Sequence, residues 1–100
     1  MAYQLLVTEG VIDFIEQNVW SKRVYDRILE CEEIAAQYPE AAPEYDPTYP
    51  AARPPFSCRR MVIPNTPFVF FYLIDDEAET VTVFSIQYAA GDPRKRFWDQ

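Results

Sequence analysis

Three apolar runs in the second half of the chain have the pattern of β-strands. They are FSCRRMVI at 56–63, FVFFYLI at 68–74 and TVTVFSIQY at 80–88, and they are rich in Val, Ile, Phe, Tyr and Thr. Turn-forming residues separate them, with PNTP after the first run and DDE after the second. Because connections this short join antiparallel neighbours, the pattern predicts a three-stranded meander.

The first half of the chain predicts one strand followed by a helical hairpin. YQLLV at 3–7 has the pattern of a strand, and residues 9–38 have helical periodicity that is interrupted near Trp20 and Ser21. Thr8 and Ser21 are suitable N-caps for the two helices. The predicted fold class is therefore α+β, in the order strand, helix, helix, strand, strand, strand, with the hairpin packed on a mainly antiparallel sheet.

Each predicted helix has one apolar face. The residues expected in the core are Val11, Ile12, Ile15 and Val19 in the first helix, and Val24, Ile28, Cys31 and Ala35 in the second. The opposite face of the second helix carries Asp26, Glu30 and Glu33. A face this acidic is a poor match for a membrane surface, so we interpret both apolar stripes as core and expect no membrane partner.

Residues 39–55 form a proline-rich loop within what we expect to be a single domain spanning 1–100. Six prolines in this segment disfavour helix, and Tyr45 and Tyr49 could pack it across the edge of the sheet as a strap. Loops of this length are often functional, so a partner-binding segment is the alternative. The basic tail at 92–100 begins with Asp92-Pro93, which suits the start of a short helix, and Phe97 and Trp98 are expected to fold back onto the domain.

The net charge of −7 lies entirely in the helical half of the chain. Residues 1–50 contain ten Asp/Glu and three Lys/Arg, whereas residues 51–100 contain six of each. Nucleic acids attract proteins chiefly by phosphate neutralisation, so we expect no direct sequence-specific binding of nucleic acid. The basic clusters in the second half, Arg59-Arg60 and Arg94-Lys95-Arg96, would suit an acidic partner.

The sequence lacks the residues that most classes of enzyme active site require. The chain has no histidine, which excludes Ser-His and Cys-His catalysis and histidine metal sites. Its two glycines cannot form a phosphate-binding loop, and we expect neither a cofactor nor a metal. Cys31 and Cys58 are interpreted as buried, reduced, structural thiols. No long apolar stretch or signal-peptide pattern is evident, so a cytoplasmic location is expected.

The order of these motifs resembles the RelE/ParE superfamily of bacterial type II toxins. The resemblance rests on VTEGVIDFIEQN at the first helix, the Tyr38-Pro39 helix exit, the CRRMVI strand, the FVFFYLIDDEAETVTVFSIQY hairpin and the AAGDP ending. It covers nearly the whole chain and implies the strand-helix-helix-strand-strand-strand toxin fold. It also implies a cognate antitoxin as partner and either the ribosome or DNA gyrase as target.

Within this superfamily, the chain is closer to the gyrase-inhibiting ParE branch. The resemblance implies cationic or otherwise catalytic side chains at the positions of Val69, Tyr88 and Gly91 in the RelE-type mRNA nucleases. Only Arg60 and Tyr88 could supply a remnant of that set. The FVFFY pattern and the net acidity favour a ParE-like toxin that acts by binding. The alternatives are a RelE-type mRNA interferase with an altered site and a non-toxic interaction module on the same fold.

Five basic residues are candidates for binding a partner: Arg59, Arg60, Arg94, Lys95 and Arg96. Arg59 and Arg60 are adjacent on a strand, so their side chains should point to opposite faces of the sheet. The terminal cluster could anchor carboxylates of an antitoxin. Solvated surface charge is the alternative interpretation of each of these residues.

Overall fold

The computed structural model describes residues 2–47, 54, 56–91 and 97. Its elements follow the predicted order, and their bounds are β1 Gln4–Val7, α1 Glu9–Asn18, α2 Lys22–Gln37, β2 Arg59–Val62, β3 Phe68–Asp75 and β4 Thr80–Tyr88. The four strands form one sheet in the order β1-β4-β3-β2. β2, β3 and β4 are antiparallel, whereas β1 is parallel to β4. The predicted fold class is therefore confirmed.

The main core lies between the helical hairpin and one face of the sheet. Its fully buried members include Val11 and Ile28 from the helices and Phe70, Tyr72 and Val81 from the strands. This face buries every second residue of β3, as the two-residue period of a strand requires. No helix in the described part of the chain has the length and apolar character needed to span a membrane.

The helix termini and faces depart from the prediction at two positions. Thr8 occupies the N-cap position of α1, but its side chain makes no capping hydrogen bond, so that part of the prediction is wrong. Ser21 does cap α2, since its hydroxyl accepts from the Val24 N–H at 3.4 Å. Ile12 was predicted in the core but is 45% exposed, because it lies about 100° around α1 from the buried Val11.

The strand β2 is shorter than the run that predicted it. Residues 56–58 precede the strand and do not belong to it. The proline-rich segment runs beside them: the Tyr45 N–H donates to the Cys58 carbonyl at 2.9 Å, and the Arg60 N–H donates to the Pro43 carbonyl at 3.1 Å. The predicted strap is thus confirmed for Tyr45. Tyr49 lies outside the described residues.

Candidate functional site

The face of the sheet opposite the helices, here called the second face, carries a smaller core of its own. Cys58, Val69, Phe71 and Phe97 are buried in it, and Tyr45, Phe84 and Ala89 pack against them. Tyr45 contacts the Phe71 ring edge to face, with ring centroids 4.8 Å apart. Phe97 folds back onto the domain as predicted, with 5% of its surface exposed. The strap and Phe97 therefore cover much of this face.

Arg60 brings a positive charge to the second face. It pairs across the strands with Phe71, which pairs in turn with Ser85, so the three side chains form one row. The Arg60 Nε is buried and has no hydrogen-bond partner among the described residues. Gln87 lies two residues beyond Ser85 in β4, and its side-chain N–H donates to the Ser85 hydroxyl at 2.8 Å. Arg60 is partly exposed, and a guanidinium suits a carboxylate or phosphate oxygen.

Arg59 has a different environment, because it points to the helix-packed face, as the alternation of the strand predicted. Its Nη1 donates to the Ala42 carbonyl at 2.7 Å, and its Nη2 lies 3.8 Å from a Glu44 carboxylate oxygen. The neighbouring Tyr72 hydroxyl donates to the Pro39 carbonyl at 2.7 Å. These bonds hold the start of the strap against the sheet. The guanidinium of Arg59 is thus engaged inside the chain, and its predicted role in partner binding is untested.

Tyr88 ends β4 on the helix-packed face and is bound to α1. Its hydroxyl donates to the Asn18 side-chain oxygen at 3.3 Å. Its ring centroid lies 5.7 Å from that of Phe14 and 5.0 Å from that of Phe68. Arg60 lies on the other face, and β3 separates the two strands that carry these residues. The structure therefore does not bring together the two residues that were candidates for a remnant nuclease site.

Val69 has an apolar side chain and also lies in an apolar environment. It is fully buried in the second face, between Val62 on β2 and Gln87 on β4.

Among the described residues, no group of three or more Cys, Asp or Glu side chains is arranged to hold a metal ion. The predicted binding residues Arg94, Lys95 and Arg96, and also Trp98, lie outside the described residues.

Neither cysteine is poised as a nucleophile. Both thiols are buried and free, as predicted. Burial raises the pKa of Cys31, and it raises the pKa of Cys58 to about 11. Because the thiolate is the reactive form, both side chains are inert thiols near neutral pH.

An acidic groove of about 640 Å³ lies between the strap and the end of β3. The carboxylates that line it are Glu40, Glu44, Asp46 and Asp76. Arg59 is the only basic residue among its described lining. These acids are dispersed in the sequence, and the path of the strap brings them together. The pattern of charges along the chain therefore gave no sign of the groove.

Glu32 is a second feature that the sequence analysis missed. It is 3% exposed, its Oε2 has no hydrogen-bond partner within the described chain, and burial raises its pKa to about 7. A signal was present in the sequence. Glu32 falls at i+7 in the series Tyr25, Leu29, Glu32 and Ala36, whose other members are apolar.

Comparison with known proteins identifies the fold. No protein-family model and no curated protein matches the sequence. Among solved structures, the archaeal RelE–RelB complex from Pyrococcus horikoshii OT3 matches with a TM-score of 0.66 and 14% identity, over 90% of this chain and 98% of that one. A mutant of the E. coli toxin RelE in the free state matches with a TM-score of 0.67 and 18% identity, over 90% of this chain and 86% of that one.

The same E. coli toxin mutant in complex with a RelB antitoxin peptide matches with a TM-score of 0.65 and 19% identity. The match covers 91% of this chain and 87% of the toxin chain. The two helices and four-stranded mixed sheet found here match the architecture of these RelE structures. At these identities the comparison concerns architecture, and the chain has the fold of the RelE toxins.

Proposed function

We propose that this protein is the toxin of a type II toxin–antitoxin module and that a cognate antitoxin neutralises it. The proposal is supported by a fold shared over 90% of the chain with the RelE of an archaeal RelE–RelB complex. It is also supported by the match to the E. coli toxin bound to an antitoxin peptide. The basic Arg60 on the second face offers a contact for antitoxin carboxylates.

We further propose that the toxin acts by binding its target, in the manner of the ParE branch, with DNA gyrase as the target. The observation that carries this is the placement of Arg60 and Tyr88 on opposite faces of the sheet. Cleavage by a ribose 2′-hydroxyl needs a base, an acid and a cation around one phosphate. Two groups on opposite faces cannot surround one phosphate.

A RelE-type mRNA interferase is the second candidate. It is favoured by the three structural matches reported above, which concern RelE toxins, and by the partly exposed Arg60. In this alternative, Arg60 by itself would stabilise the charge of the phosphorane. The general acid and the general base would be residues other than Tyr88. A non-toxic interaction module is the third candidate, because one fold can serve several functions.

Supercoiling by purified gyrase in the presence of DNA tests the proposed mechanism. We expect the protein to inhibit supercoiling or to stabilise a cleavage complex at micromolar concentration. Primer extension on translating ribosomes tests the second candidate. Codon-phased cuts that are lost in Arg60→Ala but kept in Glu33→Gln, an exposed control on α2, would overturn the gyrase proposal.

Growth of cells that express the protein without its antitoxin separates the toxin candidates from the third. We expect growth to stop and to resume when the product of an adjacent small reading frame is supplied. Full growth, together with unchanged supercoiling and uncut mRNA, would leave only the interaction module.

A further inference from the structure

The strap, taken here as residues 39–47, is held to the sheet by few contacts. Within the described part of the chain, it pairs with the sheet through one isolated bridge, between Glu44 and Arg59, and not through a continuous ladder. Its three prolines have no N–H to donate. All nine residues are described, and of these only Ala42 is buried. A segment with so few buried apolar contacts belongs to the least stable part of a fold.

Two features of the strap oppose its contact with the sheet. The Tyr45 hydroxyl is buried and has no hydrogen-bond partner in the described chain, which leaves its desolvation uncompensated. Glu40 and Glu44 of the strap line the acidic groove together with Asp76, which follows β3, and Arg59 is the only basic residue of the described lining. Like charges across the groove repel one another. The attachment of the strap is therefore the small difference between favourable and unfavourable terms.

The strap covers part of the second face. The Tyr45 ring packs on Phe71 and Phe97, with centroid separations of 4.8 and 6.0 Å. The Tyr45 N–H donates to the carbonyl of Cys58, a 6% exposed residue of the same cluster. Arg60 pairs with Phe71 across the strands. Lifting the strap consequently uncovers an apolar surface next to Arg60.

We propose that the strap is a lid, which opens as one unit while the helices and the sheet stay folded. In the open state, water satisfies the Tyr45 hydroxyl and also the Arg60 N–H, which donates to the Pro43 carbonyl when the strap is closed. The closed strap is an autoinhibitory contact, because it limits access to the second face. The inference goes beyond the proposed function, since opening depends only on contacts within this chain.

The two cysteines of the chain give an internal test of this movement. Cys58 lies in the cluster that Tyr45 covers, whereas Cys31 lies on α2 in the main core. The rate at which each thiol reacts with iodoacetamide is measured in urea below the unfolding transition and is divided by the rate for the same thiol in the unfolded chain. Mass spectrometry separates the two sites. Opening of the strap exposes Cys58 only, whereas global unfolding exposes both thiols.

We expect Cys58 to react at least about tenfold faster than Cys31 after this correction, because local opening requires less free energy than global unfolding. Low urea should change the rate at Cys58 little, since opening of the strap exposes little surface. The rate at Cys31 should rise steeply with urea for the opposite reason. Hydrogen exchange provides a second measurement: the Arg60 amide should exchange faster than the amides shared between β3 and β4.

Two variants separate opening of the strap from global unfolding. Val11→Ala weakens the main core, in which Val11 is 1% exposed, and leaves the contacts of the strap in place. We expect it to speed the reaction of Cys31 at least about fivefold and to leave Cys58 within about twofold of the parent. Arg59→Met removes the bond to the Ala42 carbonyl, which the open strap also lacks. It should speed the reaction of Cys58 about tenfold.

Three results would overturn the lid. The first is equal corrected rates at Cys58 and Cys31 with the same dependence on urea, because both thiols would then be exposed by global unfolding. The second is an equal acceleration of the two thiols in Val11→Ala. The third is an unchanged rate at Cys58 in Arg59→Met, which would assign its exposure to another movement. Because none of these readouts depends on toxicity, their failure is distinguishable from failure of the proposed function.

Discussion

The buried carboxyl of Glu32 should make the stability of the protein depend on pH near neutrality. Its pKa is raised from 4.5 to about 7 by desolvation. The folded state therefore holds this proton more tightly than the unfolded state does. The resulting stabilisation is fully present below about pH 4.5 and is lost as the pH rises through about 7. At about pH 8, the folded state must hold an ionised carboxylate in a site that excludes water.

The size of the effect follows from the displacement of the pKa. Each pKa unit corresponds to 1.36 kcal/mol of differential interaction, so a shift of this size is worth about 3 kcal/mol. Glu32→Gln keeps the shape of the side chain and removes its titration. The buried amide has its own desolvation cost, but that cost does not vary with pH. The free energy of unfolding of the variant, relative to the parent, should therefore rise by about 3 kcal/mol between about pH 4.5 and pH 8.

Urea denaturation followed by tryptophan fluorescence at several pH values measures this difference. A single domain of this size is expected to unfold in two states, so the midpoints give free energies directly. Glu33→Gln again serves as the control, because it removes an exposed charge from the adjacent position. If the Glu32→Gln and parent curves stayed parallel across the whole pH range, the carboxyl would not titrate in a buried site and the reasoning would be refuted.

Three further predictions concern the second face and the strap. Cys58, whose pKa burial raises to about 11, should react with iodoacetamide far more slowly in the folded protein than in urea, as mass spectrometry would show; equal rates would contradict its burial. Tyr72→Phe removes the 2.7 Å hydrogen bond to Pro39 and should lower the free energy of unfolding by about 1 kcal/mol, with an unchanged urea midpoint contradicting this. Arg59→Met removes the bond to the Ala42 carbonyl and should cost about 1.5 kcal/mol. It should also speed exchange of the strap amides, and protected strap amides would show that other contacts hold the segment.

Local patterns predicted most of the fold. The short turns between the last three strands allowed only antiparallel pairing, and the apolar series from Val24 to Ala35 identified the buried face of α2. The sequence did not specify that β1 would lie beside β4, because that pairing joins distant parts of the chain. The environment of Glu32 was missed for a related reason. Its burial depends on how α2 packs in the fold, and the sequence of α2 alone does not specify that packing.

The candidate site was harder to predict because one β-bulge decides which face Tyr88 occupies. Phe71 pairs with Ser85, but Tyr72 pairs with Val83, so Phe84 is an extra residue in β4. Val83 before the bulge faces the helices, and Tyr88 after it does so as well. With strict alternation, Tyr88 would have faced the opposite way, on the same side of the sheet as Arg60. Nothing in the run TVTVFSIQY indicates where the extra residue falls.

The same bulge is what favours binding over catalysis in the proposed function. By reversing the alternation after Phe84, it places the Tyr88 hydroxyl beside Asn18 of α1 and leaves Arg60 in a row with Phe71 and Ser85 on the second face. The extra residue, Phe84, contributes to packing, because its ring contacts that of Phe56 with centroids 4.8 Å apart. The bulge therefore joins the segment before β2 to the second face and places the two candidate catalytic groups on opposite faces. The bulged strand thus contributes to a packed surface on which Arg60 is the cation among the described residues.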